Sequence, residues 1–369
     1  MNKITFVVCF ITFFCISVSA QNIIPVEGVL FGRPFQCNVD HELAKKMLSN
    51  PNDSSVVQFF SDYNAYVLNT ETLSEITQKY SMDVATLFFV EKIFEQEKNR
   101  QLQDYYLTAI ESFSNGQTEG SLSFLQNHFI VFIPGFRYKH IHNGANFIDQ
   151  RLMLDSAGIS YEMIDIEEAG LVEDNTKIIV NRLQELNKLH HNIIVISVSK
   201  GGLETAIAFE MLATSQNYHS VKAWINVGGI LKGTPVADRW ARPFMRFWLA
   251  NGLFWKGIKV NLKGLLNDMS YKLGKEKYKS IKIPPTINTI NLIAVPLLQQ
   301  QKKSIFSSPN DGFSPLADAI TEDGLVVVEM GVNHFFKGVD LNSRMMVLLQ
   351  YIVENQTLTQ KNLSNCDIP

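Results

Sequence analysis

Residues 193–202 read Ile-Ile-Val-Ile-Ser-Val-Ser-Lys-Gly-Gly. The first four are β-branched and apolar, which is typical of a buried strand. A helical stripe of Leu203, Ala206, Ile207 and Met211 follows the two glycines. The segment therefore predicts a strand, a tight turn and a helix, with Ser199 at the apex of the turn. Such a turn pushes the serine oxygen out of the sheet, and small neighbours let the strand and the helix approach closely.

Short apolar runs alternate with longer amphipathic segments on both sides of this turn. The predicted strands are 129–133, 161–166, 193–196, 221–227, 290–295 and 325–328. Helices are predicted at 144–157, around Ile179, Leu183 and Leu186, and at 343–353. This rhythm predicts an α/β fold in which a mainly parallel sheet carries helices on both faces.

Residues 21–125 have a different pattern, with apolar positions at helical spacing through Val84 and Leu87 and a very polar stretch at 95–104. We expect a helix-rich N-terminal extension over 21–125, separate from an α/β domain over 126–369. Residues 71–84 are faintly similar to a LysM glycan-binding motif. An amphipathic helical cap on the next domain is the favoured interpretation, because no flanking strands are found.

The alternation stops between residues 236 and 284. This insertion is rich in aromatic and basic side chains, namely Trp240, Phe244, Phe247, Trp248, Phe254, Trp255, Arg239, Arg242, Arg246 and Lys256. One interpretation is a lid that meets an apolar substrate or makes transient contact with a lipid surface. The other is a helical cap whose aromatics are buried in the fold. The sequence leaves both open.

Residues 1–20 have the parts of a secretory signal peptide. A short basic start precedes an apolar run over 4–16, and small residues follow up to Ala20. The run is shorter than the roughly 18 residues that span a bilayer. We expect cleavage before Gln21 and a soluble protein that is secreted or periplasmic.

Charge and cysteine content narrow the function classes. Lys and Arg total 33 against 36 Asp and Glu, and no basic run is long enough to follow a phosphate backbone. Nucleic acid is therefore excluded as a partner.

Cys37 and Cys366 remain after signal cleavage, and an oxidising compartment favours a disulfide between them. His190-His191 is predicted to be structural, so no metal site is expected.

Five short motifs follow one another between residues 128 and 340. They are Ile133-Pro134-Gly135-Phe136, Ser199-Lys200-Gly201-Gly202, Gly233-Thr234-Pro235, Asp311-Gly312 and Asn333-His334-Phe335-Phe336. In this order they resemble the α/β-hydrolase superfamily of serine esterases and lipases, particularly a secreted bacterial branch with a Ser-Lys-Gly-Gly elbow. The resemblance implies an α/β-hydrolase fold with a helical lid or cap insertion. It also implies a serine hydrolase that cleaves carboxylic esters, including lipid or acyl esters, without a cofactor.

The resemblance further implies a catalytic triad of Ser199, His334 and Asp311, in the chain order serine, acid, histidine. Asp318 is the alternative acid. The backbone N–H of Lys200, at a helix N-terminus, is expected to act as an oxyanion donor. The N–H of Phe136, after the first strand of the sheet, is expected to be the second.

Two departures from the usual pattern concern the elbow. Ser197 stands where the elbow usually has glycine, so some steric strain is expected there, and Val198 stands where the family often has histidine. His140 and His142 follow the first strand of the sheet and could face the same cleft, although a solvated loop is favoured.

Two alternatives remain open at this stage. Acyl transfer or thioester cleavage would use the same triad, because acceptor choice depends on pocket shape. A catalytically inactive protein that binds a glycan or a lipid is the other alternative, and the unusual Ser197 is the feature that keeps it open. The sequence does not indicate the oligomeric state.

Overall fold

The computed structural model describes residues 23–114, 122–140, 144–215, 218–255, 257–258, 260–298 and 305–366, so the predicted signal peptide lies outside the described residues. The described chain begins with an antiparallel hairpin of β1 (Ile24–Leu30) and β2 (Arg33–Val39). This hairpin was not predicted. Five helices follow: α1 (Glu42–Ser49), α2 (Ser54–Tyr63), α3 (Thr70–Lys79), α4 (Met82–Phe94) and α5 (Glu97–Ser114).

The rest of the chain alternates between strands and helices. In order it contains β3 (Phe129–Ile133), α6 (Ile148–Ser156), β4 (Tyr161–Met163), α7 (Val172–Leu189), β5 (Ile193–Val198), α8 (Lys200–Ser215), β6 (Val221–Val227), α9 (Pro235–Trp240), α10 (Pro243–Trp255), α11 (Leu262–Asp268), α12 (Tyr271–Lys277), β7 (Asn288–Val295), β8 (Leu325–Met330) and α13 (Leu341–Cys366). Strands β3 to β8 form one parallel sheet in the order β4-β3-β5-β6-β7-β8. The prediction of a mainly parallel sheet is confirmed.

Both faces of this sheet are covered by helices. Along β5, Ile194 and Ile196 pack in one apolar cluster with side chains of α5, α6 and α13. Ile193 and Val195, which alternate with them, pack on the opposite face with α7 and α8. A strand that is buried on both faces is a continuous apolar run, and this explains why residues 193–196 gave such a clear signal.

Helices α1 to α4 extend the second layer over β7 and β8. Phe88 and Phe89 of α4 share a core with Ile293 of β7 and Val326 of β8. Of the thirteen residues of α4, eleven are buried; a helix that is buried nearly all round must lie between other elements. Helices α1 to α4 therefore pack on the sheet and share part of its core, and the predicted boundary between residues 125 and 126 stays a prediction.

Helix α5 covers the edge strand β8 through two buried amide side chains. Asn99 Oδ1 accepts the N–H of Val326 at 2.9 Å. Gln103 accepts the N–H of Val328 at 2.9 Å and donates to its carbonyl oxygen at 3.1 Å. An edge strand otherwise presents unpaired backbone groups, so α5 closes this edge of the sheet.

The LysM-like segment lies on α3 and α4. Leu73 and Ile76 of α3 are fully buried in the shared core. No strand follows α4 before β3 in the described part of the chain. The favoured interpretation, an amphipathic helical cap, fits this arrangement.

In the described part of the insertion between β6 and β7, the structure has the helices α9 to α12, which we call the cap (residues 235–277). Trp240 is half-buried, whereas the aromatic side chains of α10 are exposed. The interpretation of a cap with buried aromatics therefore fails for α10. Within the described ranges, no helix is both long enough and apolar enough to cross a membrane.

Cys37 on β2 forms no disulfide within the part of the chain whose side chains the structure describes. Burial, with a smaller contribution from Asp83, raises its pKa to about 11. The side chain of Cys366 lies outside the described residues. The Cys37–Cys366 disulfide therefore stays a prediction.

Candidate active site

The turn at Ser199 has a strained backbone that its neighbours hold in place. Ser199 joins β5 to α8 with a φ of 57°, a left-handed conformation that costs a non-glycine residue on the order of 1–3 kcal/mol. Its N–H donates to the carbonyl of Val227 at 3.1 Å. Its carbonyl accepts from the N–H groups of Gly202 at 3.0 Å and Ile230 at 3.1 Å. These bonds fix the turn in a shape that directs the side chain away from the sheet.

The two glycines after the serine are required by close backbone approach. A Cβ on Gly201 would lie 2.5 Å from the carbonyl oxygen of Pro134 and 2.9 Å from that of Ile133. A Cβ on Gly202 would lie 2.5 Å from Oδ1 of Asn226. Only glycine lets the start of α8 come this near to β3 and β6.

Ser197 has a buried hydroxyl with a hydrogen-bond partner. It is fully buried, and its Oγ accepts a hydrogen bond from the indole N–H of Trp224 at 2.8 Å. Its φ is not among the positive values of the described chain. The serine hydroxyl thus satisfies a buried donor that glycine would leave unpaired, and steric strain at this position stays a prediction.

Ser199, His334 and Asp311 form a chain of hydrogen bonds. His334 Nε2 lies 2.9 Å from Ser199 Oγ, and His334 Nδ1 lies 2.7 Å from Asp311 Oδ2. The other carboxylate oxygen of Asp311 accepts from the N–H groups of Phe313 at 2.8 Å and Ser314 at 2.7 Å. His334 and Asp311 are buried, and Ser199 is partly accessible. The structure brings the three predicted side chains together.

Asp318, the alternative acid, lies in a different contact network. It forms an ion pair with Lys232 at 2.8 Å. It also accepts hydrogen bonds from the hydroxyls of Thr70 at 2.6 Å and Tyr271 at 2.7 Å. Asp318 therefore links α3, the loop after β6 and the cap, and its carboxylate has no hydrogen bond to His334 among those described.

Two backbone N–H groups beside Ser199 are available to a developing anion. Lys200 is the first residue of α8, where N–H groups have no partner within the helix and the helix dipole favours negative charge. A Cβ on Gly135 would lie 3.4 Å from the Cβ of Ser199, so the loop that carries Phe136 touches the serine. No acceptor among the described residues takes the N–H of Phe136.

The side chain of Lys200 is buried and does not face the site. It forms an ion pair with Glu204 one turn along α8, and both side chains are at most 3% exposed. Asn175 donates to Glu204 at 2.8 Å and exchanges hydrogen bonds with the backbone of Glu167. Burial raises the pKa of Glu204, although Lys200 opposes this shift. The sequence analysis missed this ion pair, whose signal is a Lys–Glu pair four residues apart in an otherwise apolar helix.

His140 and His190 have other partners than the three residues of this hydrogen-bond chain. His140 pairs with Glu168 at 2.8 Å on the surface, and His142 lies outside the described residues. His190 stacks on Phe129, with ring centroids 3.8 Å apart, at the start of β3, as its structural assignment predicts. Within the described ranges, no three His, Cys, Asp or Glu side chains are grouped so that they could hold a metal ion.

The sheet order and the elbow together identify the architecture. A parallel sheet with helices on both faces carries a serine on a sharp strand-to-helix turn, and the hydrogen-bonded acid and histidine follow it in the chain. The fold is an α/β-hydrolase fold. The fold class expected from the sequence is thus confirmed.

Comparison with solved structures gives similar α/β-hydrolase enzymes. A metagenomic carboxyl esterase has a TM-score of 0.48 and 16% identity, over 62% of this chain and 76% of the esterase. The mature lipase BlEst2 of Bacillus licheniformis has a TM-score of 0.44 and 19% identity, over 57% of this chain and 86% of the lipase. Phospholipase PlaB of Legionella pneumophila has a TM-score of 0.43 and 14% identity, over 59% of this chain and 55% of the phospholipase. No protein-family model and no curated protein matches the sequence.

Proposed function

We propose that this protein is a serine hydrolase that cleaves carboxylic esters through an acyl-enzyme. The observation that carries the proposal is the continuous hydrogen-bond chain from Ser199 through His334 to Asp311, with the serine on a strained elbow. A serine hydroxyl is a weak nucleophile unless a base takes its proton. The 2.9 Å contact puts His334 within reach of that proton.

In the first half of the proposed reaction, Ser199 Oγ attacks the ester carbonyl carbon while His334 Nε2 takes the hydroxyl proton. The N–H groups of Lys200 and Phe136 donate to the oxyanion that forms. Asp311 holds the Nδ1–H of His334 and stabilises the imidazolium. His334 then gives its proton to the leaving alkoxide, the carbon–oxygen bond breaks, and the acyl group stays on Ser199.

In the second half, water replaces the alcohol. His334 takes a proton from this water as the water oxygen attacks the acyl carbon, and the oxyanion forms again against the same two N–H groups. Collapse breaks the bond to Ser199 Oγ, which recovers its proton from His334. The products are an alcohol and a carboxylic acid, and the free enzyme is regenerated.

Aromatic side chains around the histidine support an apolar acyl chain, as in a lipid or acyl ester. The rings of Phe313 and His334 have centroids 4.7 Å apart, and Phe335 lies 5.7 Å from His334. Phe136 packs in the apolar cluster of the cap, which also includes Phe313. Such a surface favours hydrocarbon over a small polar acyl group.

We also propose that the protein is exported, on the basis of residues 1–20 alone. Expression in a bacterial host with fractionation and N-terminal mass spectrometry tests this. A periplasmic or secreted chain that starts at Gln21 is expected. A cytoplasmic chain that keeps residues 1–20 would contradict it.

The test of the catalytic proposal is labelling with a fluorophosphonate probe, followed by peptide mapping. Modification confined to Ser199 is expected. His334→Ala should label at least a hundredfold more slowly, because the base that activates the serine is gone. Ser199→Ala is the negative control, and Ser197→Ala is the matched control because it removes a nearby hydroxyl that is buried. A folded protein, checked by circular dichroism, that does not react with the probe would overturn the proposal.

A further inference from the structure

Helix α10 presents an aromatic stripe to solvent. The exposed fractions are 71% for Phe244, 62% for Phe247, 58% for Trp248, 74% for Phe254 and 83% for Trp255. The outward face of a surface helix is ordinarily polar. Large exposed apolar patches mark interaction surfaces, so this face needs a partner.

The stripe lies opposite the side of α10 that packs on the protein. At about 100° per residue, the five aromatics fall within a sector of roughly 120°. Leu249 and Leu253 lie on the opposite side of the helix and join the apolar cluster of the cap. Aromatic rings of the stripe contact one another edge to face, as Phe244 and Trp248 do at 6.2 Å. Helix α10 is therefore anchored by one face, and no other described part of the chain covers its aromatic face.

The sequence around the stripe is strongly cationic. Residues 239–267 contain Arg239, Arg242, Arg246, Lys256, Lys259 and Lys263, and no Asp or Glu. The whole chain has a net charge of −3, so this segment is opposite in sign to the rest. Arg239, Arg242 and Arg246 are exposed. None of these three forms an ion pair with a described residue.

We propose that α10 docks the protein on an anionic lipid bilayer. Interfacial helices combine a face of Trp and Phe, which enters the boundary of headgroups and acyl chains, with flanking Lys and Arg that meet anionic headgroups. The stripe of α10 supplies the Trp and Phe side chains, and the exposed Arg239, Arg242 and Arg246, which precede the stripe or lie within α10, supply the cations. A second copy of the chain fits less well, because a symmetric contact would bring two cationic segments together.

The docking surface and the candidate active site lie against the same apolar cluster. The cluster that holds Leu249 and Leu253 also includes Phe136 and Phe313, which lie beside Ser199 and His334. A bilayer against the outer face of α10 would thus be separated from the site mainly by the cap. The idea that docking brings the protein to lipid esters rests on the proposed function. The binding of α10 to the bilayer does not rest on it.

Vesicle binding by a chain with Ser199→Ala tests the proposal without hydrolysis of the lipid. All proteins start at Gln21, so that the apolar run of residues 4–16 cannot bind vesicles itself. Co-sedimentation is measured with phosphatidylcholine vesicles, with and without phosphatidylglycerol. Trp fluorescence quenching by brominated lipid reports insertion. We expect binding that depends on phosphatidylglycerol, together with a blue shift and quenching of Trp emission.

Variants of the stripe and of its charges separate the two contributions. Phe247→Ser with Trp248→Ser should weaken binding at least tenfold. Arg242→Gln with Arg246→Gln should weaken it about 25-fold, since each cation near an anionic leaflet contributes about fivefold. The matched control is Lys188→Gln with Leu189→Ser, an exposed pair at the end of α7 near the amino end of β5. This control should bind unchanged.

Three results would overturn the proposal. The first is vesicle binding that does not require phosphatidylglycerol, and the second is vesicle binding that the stripe variants leave intact. The third is a chain that does not bind vesicles but forms a dimer without lipid, where the stripe variants abolish the dimer. The last result would assign the stripe to self-association. Hydrolysis of a water-soluble ester by the unsubstituted chain is measured separately. Vesicle binding without hydrolysis would refute the proposed function and leave the docking surface standing.

Discussion

Replacing Asp311 by Asn should leave the fold intact and nearly abolish ester hydrolysis. One carboxylate oxygen of Asp311 accepts the N–H groups of Phe313 and Ser314, and the other faces His334 Nδ1 at 2.7 Å. An asparagine carbonyl would keep the two backbone bonds, so its NH₂ group must face the imidazole. His334 would then accept at Nδ1 and carry its proton on Nε2, where it cannot take the proton of Ser199. The wrong tautomer costs a triad about 10⁴ in kcat, or about 5.5 kcal/mol.

The assay is steady-state hydrolysis of a p-nitrophenyl ester by purified variants whose unfolding is followed in urea. Asp318→Asn is the control, because it removes a buried carboxylate of the same kind that binds Lys232, Thr70 and Tyr271 instead. We expect its kcat to change less than tenfold, while its free energy of unfolding falls. A large loss of kcat with Asp318→Asn and a small one with Asp311→Asn would refute the assignment of the acid.

Three further predictions concern stability, measured by urea unfolding. Gly201→Ala should lower the free energy of unfolding by about 1–3 kcal/mol because its Cβ would meet a backbone oxygen at 2.5 Å. Gly252→Ala is the contrast: its Cβ would meet nothing within 4 Å, so it should stabilise α10 by about 1 kcal/mol. Glu204→Gln leaves the ammonium of Lys200 buried without a counter-charge and should lower the free energy of unfolding by about 3–5 kcal/mol. Replacing both residues by apolar ones should lower it much less. Equal losses of unfolding free energy in the two variants would contradict this. Burial raises the pKa of Asp83 to about 7, so its stabilising contribution is fully present below about pH 4 and is lost as pH rises from there to about 7, by up to about 4 kcal/mol. Asp83→Asn should remove this fall between about pH 4 and pH 7.

The sheet was predictable because its central strands are buried on both faces. Segments such as 129–133 and 193–196 are then continuous apolar runs, and the helices predicted between successive strands imply a parallel sheet. The hairpin of β1 and β2 was missed because only Val26 and Val39 of its residues are buried, although exposed and less exposed residues alternate along β1. A local sequence pattern indicates a strand only where apolar side chains are buried, and a half-exposed hairpin buries few of them.

The three residues of the candidate triad were found by their motifs, but their supporting contacts were not. The role of Ser197 depends on the indole of Trp224, which lies on a neighbouring strand 27 residues away. Likewise, Asn175 meets Glu204 only after α7 and α8 pack side by side. Such contacts arise from tertiary packing, and no local spacing in one sequence encodes them.

The closure of the β8 edge by α5 has a consequence for the order of folding during synthesis. The amide of Asn99 leaves the ribosome 227 residues before the backbone group of Val326 that it covers. Until β7 and β8 exist, the buried side of α4 has no sheet to pack on. The core of the N-terminal third is therefore completed only when β7 and β8, near the end of the chain, are available.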